Sequence, residues 1–260
     1  VNSGIRVLRN NIHDIMQPTS FGYGSYGINV SGSAQCENIL IANNMINNVV
    51  AAKYTTSPTS TYIATGIRFS AGATAARLIN NTIVVNAAIN GSTANYTQHG
   101  IYLVSTMTAA QILNNIVINN GVGTGSYAIY SASTANINTA TVNNNNYSAP
   151  SGVIGFYNGV PQATLANWQT ASGKDANTFN VSPNFVSAND LHITTAPTPL
   201  ESGGAAVGVT LVANDIDNQL RPGPVGSVNG GASNPDIGAD EFDATPIFAP
   251  VLLIKYKLLS

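Results

Sequence analysis

Short runs of Ile, Leu and Val recur along the first 150 residues, and pairs of asparagines interrupt them. The segments VLRNNIHDI (7–15), IANNMINN (41–48), LINNTIVVN (78–86) and ILNNIVINN (112–120) align, and TVNNNNYS (141–148) is a weaker fifth copy. The Asn pairs begin at 10, 43, 80 and 114, so the period is 33 to 37 residues. Apolar runs this short are typical of strands rather than helices. Strands and turns repeated at this period predict a β-solenoid.

A second motif accompanies each copy and predicts which side chains face the core. It reads GIRV at 4, GINV at 27, GIRF at 66, GIYL at 100 and, in degenerate form, AIYS at 128. Coils stacked about 4.8 Å apart would align the isoleucines of these copies into one inward column. The next residue of each copy would point outward, which gives the column Arg6, Asn29, Arg68, Tyr102 and Tyr130.

These repeats resemble the right-handed parallel β-helix of the pectate-lyase-like superfamily of secreted proteins. The resemblance covers residues 1–150 and implies an all-β solenoid of about five coils. It also implies that asparagines stack at the turns, with each amide bonding its neighbour in the next coil. The expected ladder residues are Asn10, Asn43, Asn80 and Asn114.

The repeat fades after residue 150, and residues 151–243 carry a different pattern. They contain Trp168, most of the prolines and nine of the eleven acids. Their W-x-x-x-x-G-x-D, P-x-F, D-x-D-N-x-x-R and D-I-G-A-D-E segments resemble the closing segment of many bacterial surface β-helix proteins. Asn218 replaces the usual Gly of that pattern, and Asp240 replaces the usual aromatic residue.

A solenoid must cover the apolar cross-section and open strand edges of its last coil. We therefore predict that residues 151–243 form the last coils and a C-terminal cap, with Trp168, Phe179, Phe185 and Leu191 in the plug. Arg221 is expected to pair with Asp236 or Glu241. Residues 244–260 are interpreted as a linker or tail, or as the start of an anchoring or sorting element.

Composition narrows the range of partners. Charged residues make up 8% of the chain and its net charge is −2, so no basic surface is predicted for nucleic acid or anionic membranes. No apolar run approaches the ~18 residues of a transmembrane segment. The chain begins at Val1 without a basic and apolar leader, which favours a piece of a longer, exported protein.

Acidic residues are too few in the repeat region for the usual chemistry of polysaccharide-degrading enzymes. Those enzymes need paired carboxylates, or a base beside a calcium ion that several acids hold. Asp14 and Glu37 are the only acids before residue 175, and they fall in different coils. No catalytic residue is therefore predicted, and the inventory argues against an enzyme.

The sequence offers two candidate binding sites, one for a sugar chain and one for a cation, and each also has a purely structural interpretation. Arg and aromatic side chains along a groove suit a sugar chain, and the candidates are Arg6, Arg68, His99, Tyr102, Tyr127 and Tyr130. The simpler interpretation, an ordinary exposed strand face, is favoured. Asp215 and Asp217 alternate as in calcium loops, but a turn with Arg221 as counter-ion is favoured, so no cofactor is predicted.

The sequence thus favours a structural or adhesive segment of an exported bacterial protein, extracellular or at the cell surface. A polysaccharide or cell-surface glycan is the expected partner. The competing hypothesis is the scaffold of a polysaccharide lyase or glycoside hydrolase whose catalytic coils lie outside this chain.

Overall fold

The computed structural model describes residues 2–17, 24–32, 35–51, 63–86, 97–121, 125–150, 152–208, 210–223 and 234–244. The chain is a parallel β-solenoid whose coils contribute short strands to four stacked sheets. Three central coils, residues 36–131, repeat the same order of four strands, and a less regular coil lies at each end. The tail predicted at 244–260 lies outside the described residues, except for Ala244.

The strands of the first coil are β1 (Asn2–Ser3), β2 (Arg6–Leu8), β3 (Asn11–Ile12), β4 (Ile15–Gln17) and β5 (Ser25–Val30). The second coil has β6 (Cys36–Glu37), β7 (Leu40–Ala42), β8 (Met45–Ala51) and β9 (Ala64–Phe69). The third has β10 (Ala73–Thr74), β11 (Arg77–Ile79), β12 (Thr82–Val85) and β13 (Gln98–Leu103). The fourth has β14 (Met107–Thr108), β15 (Gln111–Leu113), β16 (Ile116–Asn119) and β17 (Tyr127–Ser131).

The last coil begins with a helix and leads into the cap. Its elements are α1 (Ala135–Asn138), β18 (Thr141–Asn143), β19 (Asn146–Ser148) and β20 (Val153–Tyr157). The cap contains β21 (Val160–Gln162), α2 (Leu165–Ser172), β22 (Phe185–Ser187), β23 (Asp190–Ile193) and a 3-10 turn at Thr210–Val212. We name the four sheets A to D. Sheet A contains β1, β6, β10 and β14, and sheet B contains β2, β7, β11, β15 and β18. Sheet C contains β3, β4, β8, β12, β16 and β19, and sheet D contains β5, β9, β13, β17, β20 and β21.

The inward isoleucine column is confirmed from the second GI copy onward. Ile28, Ile67, Ile101 and Ile129 pair in register along sheet D, and all four are buried in the core. The first copy lies elsewhere, because β2 belongs to sheet B and pairs Arg6 with Leu40. Placing Arg6 in the outward column of sheet D was therefore wrong. The GIRV copy at 4 has the same residue pattern as the other copies, but it lies in sheet B rather than in sheet D.

A continuous asparagine ladder runs through the solenoid, one residue away from the predicted column in most coils. Its members are Asn10, Asn44, Asn81, Asn115 and Asn145. Each side-chain amide donates to the Oδ1 of the next member, over distances of 2.8, 2.9, 2.9 and 3.1 Å. Each Oδ1 from Asn44 onward also accepts the backbone N–H of the preceding member. The ladder ends on Asp175, whose Oδ1 accepts from Asn145 at 3.0 Å.

In the pairs that begin at 43, 80 and 114, the first asparagine has a different role from the second. Asn43, Asn80 and Asn114 adopt left-handed backbone angles, with φ of 55°, 53° and 58°. Asparagine tolerates this region better than other residues that carry a side chain. These residues form the corner between sheets B and C. Their side chains do not join the ladder, and the next residue of each pair does. The predicted ladder was thus correct for Asn10 and one residue early for Asn43, Asn80 and Asn114.

Trp168 closes the C-terminal end of the core. Helix α2 begins at a capping box, in which the Thr164 hydroxyl accepts the Asn167 N–H at 3.1 Å. Its fully buried Trp168 lies against the backbone of Gly155, where an added Cβ would lie 2.4 Å from the ring. The indole N–H donates to Asp175 Oδ2 at 2.7 Å, which joins the plug to the end of the ladder.

The rest of the cap lies along the side of the solenoid rather than over its end. Outward side chains of sheet C pack against apolar residues of the cap. The sheet contributes Met45, Val84, Ile116 and Ile118, and the cap contributes Leu191, Ile193, Leu200, Ile237 and Phe242. Phe185 and Leu191, expected in an end plug, belong to this lateral contact. Sheet C is therefore buried on both faces, which explains its nearly continuous apolar strands.

We expect Asn81→Ala to lower the free energy of unfolding by about 3 kcal/mol or more, because each buried polar group left without a partner costs about 1–3 kcal/mol. The substitution removes the acceptor of two donors of Asn44 and the donor to Asn115. Urea unfolding of both proteins measures the difference.

The matched control is Asn10→Ala at the exposed end of the same ladder, where water can replace the lost amide. Its expected cost is about 1 kcal/mol. Equal losses at the two positions would show that burial of the ladder does not determine its contribution.

Candidate functional site

The outward column of sheet D is an aromatic cluster that contains most of the predicted sugar-contact residues. Arg68, Tyr102, Tyr130 and Phe156 align along the sheet, and His99 aligns with Tyr127 beside them. The Tyr130 and Phe156 rings stack with centroids 4.5 Å apart. The Tyr102 and Tyr130 rings meet edge to face at 4.9 Å.

This cluster is buried, so it does not form the open groove that a sugar chain would require. Tyr102 is 1% exposed, Tyr130 is 3% exposed and His99 is fully buried. Burial raises the pKa of Tyr102 to about 12. Arg68 donates to Asn29 Oδ1 at 3.3 Å and lies over the Tyr26 ring, 5.1 Å from its centroid. The geometry is that of an outer hydrophobic cluster with an enclosed guanidinium.

Arg221 organises a second polar group, inside the cap. Its guanidinium forms a buried ion pair with Glu241 and also donates to the carbonyl oxygens of Asp236 and Gly238. The Asp236 carboxylate accepts the backbone N–H groups of Ser202 and Phe242 at 2.6 and 2.7 Å. Arg221 therefore pairs with the Glu241 side chain, while the Asp236 carboxylate holds the backbone of the closing segment.

Asp215 and Asp217, for which the sequence favours a turn over a calcium loop, have different partners. Both oxygens of the buried Asp215 accept backbone N–H groups, from Gln219 at 2.6 Å and from Glu241 at 3.0 Å. Asp217 points away from it and meets His192, with 2.7 Å between Oδ2 and Nε2. Asp215 is thus a turn-forming residue, and Asp217 belongs to another group.

That group brings together four side chains from three segments of the cap. Asp190 and His192 lie two apart on β23, so they share one face of the strand. His192 Nδ1 hydrogen bonds to Asp190 Oδ1, and its Nε2 faces Asp217. Asp240 completes the group, and one ligand atom each of His192, Asp217 and Asp240 lies within 4.8 Å of the others. We call these four residues the histidine cluster.

Sequence reasoning missed this cluster because its members are distant in the chain. His192 is not among the residues that the sequence analysis selected, although Asp190 two residues earlier indicates a shared face of a strand. The other signal was Asp240, a carboxylate where the closing pattern usually has an aromatic residue. Only the fold brings the two positions together.

Electrostatics distinguish the members of the cluster. Burial raises the pKa of Asp240 to about 6. Burial by itself would lower the pKa of His192, but the hydrogen bonds to Asp190 and Asp217 and the charge of Asp240 raise it. The hydrogen bonds from His192 lower the pKa of Asp190. The imidazole is therefore held among carboxylates that favour a positive charge at its nitrogens.

Glu201 is a further buried acid, on the lateral face of the cap. Its Oε2 accepts the N–H of Ala244 at 2.9 Å, and the Ser202 hydroxyl donates to Oε1 at 3.3 Å. The side chain is 2% exposed. Burial raises its pKa from 4.5 to about 7, and the charges of Asp243 and Glu241 add to the effect.

Comparisons of this chain with protein-family models, curated proteins and solved structures gave no match. Among the helices that the structure describes, none has the length and apolar character needed to cross a bilayer.

We expect stability to fall as the pH rises from about 4.5 to about 7, in part because of Glu201. Its folded-state pKa lies above the value of the unfolded chain, so the folded state holds the extra proton in this window. That contribution is fully present below pH 4.5 and is lost as the pH passes 7. Urea unfolding at a series of pH values measures the slope.

The neutral isostere Glu201→Gln should flatten the profile and should be relatively more stable at pH 8. Glu37→Gln, which changes a half-buried glutamate of β6, is the matched control and should keep the wild-type slope. An unchanged slope in Glu201→Gln would contradict the assignment.

Proposed function

We propose that this chain is a structural and adhesive segment of an exported bacterial protein, extracellular or at the cell surface. The observation that supports this most strongly is the asparagine ladder, which runs without a break from Asn10 to Asp175. A buried chain of amide hydrogen bonds through every coil resists separation of the coils. Such a ladder suits a stiff rod that presents a surface at a distance.

The inventory of reactive groups supports a non-catalytic role. Asp14 is an exposed residue bonded to His13 and Asn48, and Glu37 lies on β6 of sheet A. Within the described part of the chain, neither side chain hydrogen bonds to a second carboxylate. The competing proposal is the scaffold of a polysaccharide lyase or glycoside hydrolase whose catalytic coils lie outside this chain. A structural segment would leave a polysaccharide intact, whereas the complete enzyme would cleave it.

Sheet A is the best candidate for the adhesive face. Ser3, Glu37, Thr74 and Thr108 align across its coils, and all four are exposed or half-buried. The Thr74 and Thr108 hydroxyls lie 3.2 Å apart, and Gln35 donates to Thr74 at 2.6 Å. A regular line of hydroxyl and amide groups can hydrogen bond to the hydroxyls of a glycan. The buried tyrosines of sheet D are not required for this contact.

Activity assays separate the structural role from the enzymatic one. We expect the purified chain to release no unsaturated products and no new reducing ends from acidic or neutral polysaccharides. Turnover that survives repurification and depends on residues of this chain would overturn the proposal.

Glycan-array binding tests the adhesive face. Binding of the wild-type chain should be lost in a Thr74→Lys/Thr108→Lys double variant, because two long side chains would cover the line of hydroxyls. The matched control, Ser187→Lys on β22 of the cap, should bind like the wild type. Absence of binding by the wild-type chain, or binding unaffected by the double variant, would contradict adhesion through sheet A.

A further inference from the structure

In the histidine cluster, carboxylates surround His192 in an arrangement that suits either a doubly protonated imidazole or a bound metal ion. Both ring nitrogens of His192 face carboxylates, Nδ1 towards Asp190 and Nε2 towards Asp217. A neutral imidazole carries one N–H, so one of these contacts would set a nitrogen lone pair against a carboxylate oxygen. A second proton removes that conflict, and so does a cation between Nε2 and Asp217.

The charge of the cluster also favours a cation. Three carboxylates surround one imidazole, and no Lys or Arg among the described residues forms an ion pair with them. Asp240 is only 5% exposed, and its Oδ2 accepts the backbone N–H of Ile193 at 2.8 Å. Burying a carboxylate without a matching charge is costly. A divalent ion would supply that charge at the point where His192, Asp217 and Asp240 converge.

The surroundings of His192 match those of histidines that ligate metals. Such a histidine usually donates its second N–H to a carboxylate or carbonyl, which fixes the ring and raises its basicity as a ligand. Asp190 occupies that position at Nδ1, so Nε2, which now contacts Asp217, is the nitrogen that would face the ion. Asp190 therefore acts as an orienting residue rather than as a ligand.

We propose that His192 Nε2, Asp217 and Asp240 bind a Zn²⁺ ion, and that a water molecule completes a tetrahedral site. Zn–N and Zn–O bonds of about 2.0–2.2 Å place neighbouring ligand atoms about 3.3–3.5 Å apart. The His192 Nε2 and Asp217 Oδ2 atoms, now 2.7 Å apart, need to separate by less than about 1 Å. The remaining ligand atoms already lie within the 4.8 Å span of the group.

Zinc fits this ligand set better than calcium. Imidazole suits Zn²⁺, whereas Ca²⁺ takes six to eight oxygen ligands and the cluster offers carboxylates from two ligating residues. The ion would connect β23, the turn at 215–218 and the closing segment at 236–241. Because the folded chain alone assembles the site, binding would stabilise the cap.

Metal titration of the EDTA-treated full chain tests this proposal. We expect calorimetry to show one Zn²⁺ bound per chain and the unfolding temperature to rise with Zn²⁺. Ca²⁺ should produce neither effect. Co²⁺, which adopts the same geometry, should give the intense visible absorption of a tetrahedral site.

Substitutions locate the ion. Asp240→Asn keeps an oxygen acceptor for the Ile193 N–H and is expected to fold, as circular dichroism would verify. It and Asp217→Asn should abolish the Co²⁺ spectrum, and Asp190→Asn should weaken Zn²⁺ binding about 10–100-fold. The matched control is Asp14→Asn, which alters a second contact between a histidine and an aspartate, the 2.9 Å pair of His13 and Asp14.

Three outcomes would overturn the assignment. These are the absence of Zn²⁺ binding by the wild-type chain, an unchanged Co²⁺ spectrum in a folded Asp240→Asn variant, and a response to Ca²⁺ instead of Zn²⁺. None of them bears on the structural role, which depends on the ladder.

Discussion

The hydrogen bonds between stacked asparagine side chains are the constraint on which the rest of this structure depends. The amides of Asn44, Asn81 and Asn115 each satisfy three kinds of partner at once: the next amide, a backbone N–H, and backbone carbonyls of their own and the preceding coil. Asn81, for example, donates to Asn115 and to the carbonyl oxygens of Ile41 and Ile79. A buried corner between two strands leaves backbone groups without ladder partners, and the amide supplies them. This requirement places one ladder asparagine at the same corner of every coil.

The asparagines before the ladder members Asn44, Asn81 and Asn115 connect the solenoid to its cap. Asn43 donates to the Asn214 carbonyl at 2.6 Å, Asn80 to that of Asp236 at 3.0 Å, and Asn114 to that of Ala205 at 2.9 Å. The left-handed conformation directs these side chains outward, towards the segment that runs beside sheet C. In each of these Asn pairs, the second residue therefore forms the ladder inside the solenoid, and the first hydrogen bonds to the cap outside it.

The acidic residues lie mainly in the cap because the coils and the cap satisfy their buried backbone groups in different ways. A solenoid whose polar interior consists of neutral amides needs no ionised groups, and its coils contain almost no acids. The cap is irregular, and its backbone N–H groups find carboxylates instead: Asp215, Asp236 and Glu241 each accept N–H groups of the cap backbone. Burial raises the pKa of all three. The acids that matter for stability and for metal binding are thus concentrated in the last third of the chain.

The sequence by itself determined the solenoid, its period, the isoleucine column and the presence of an asparagine ladder, because a repeated pattern is a local signal that stacking multiplies. It did not determine which asparagine of each pair enters the ladder, since both residues are chemically identical and only the backbone angles at the corner separate them. It also did not show that the cap lies along sheet C or that the tyrosines of sheet D are buried. The histidine cluster joins residues up to 50 positions apart in irregular segments without a repeat. Such contacts depend on how the cap packs against the coils, which only the tertiary structure decides.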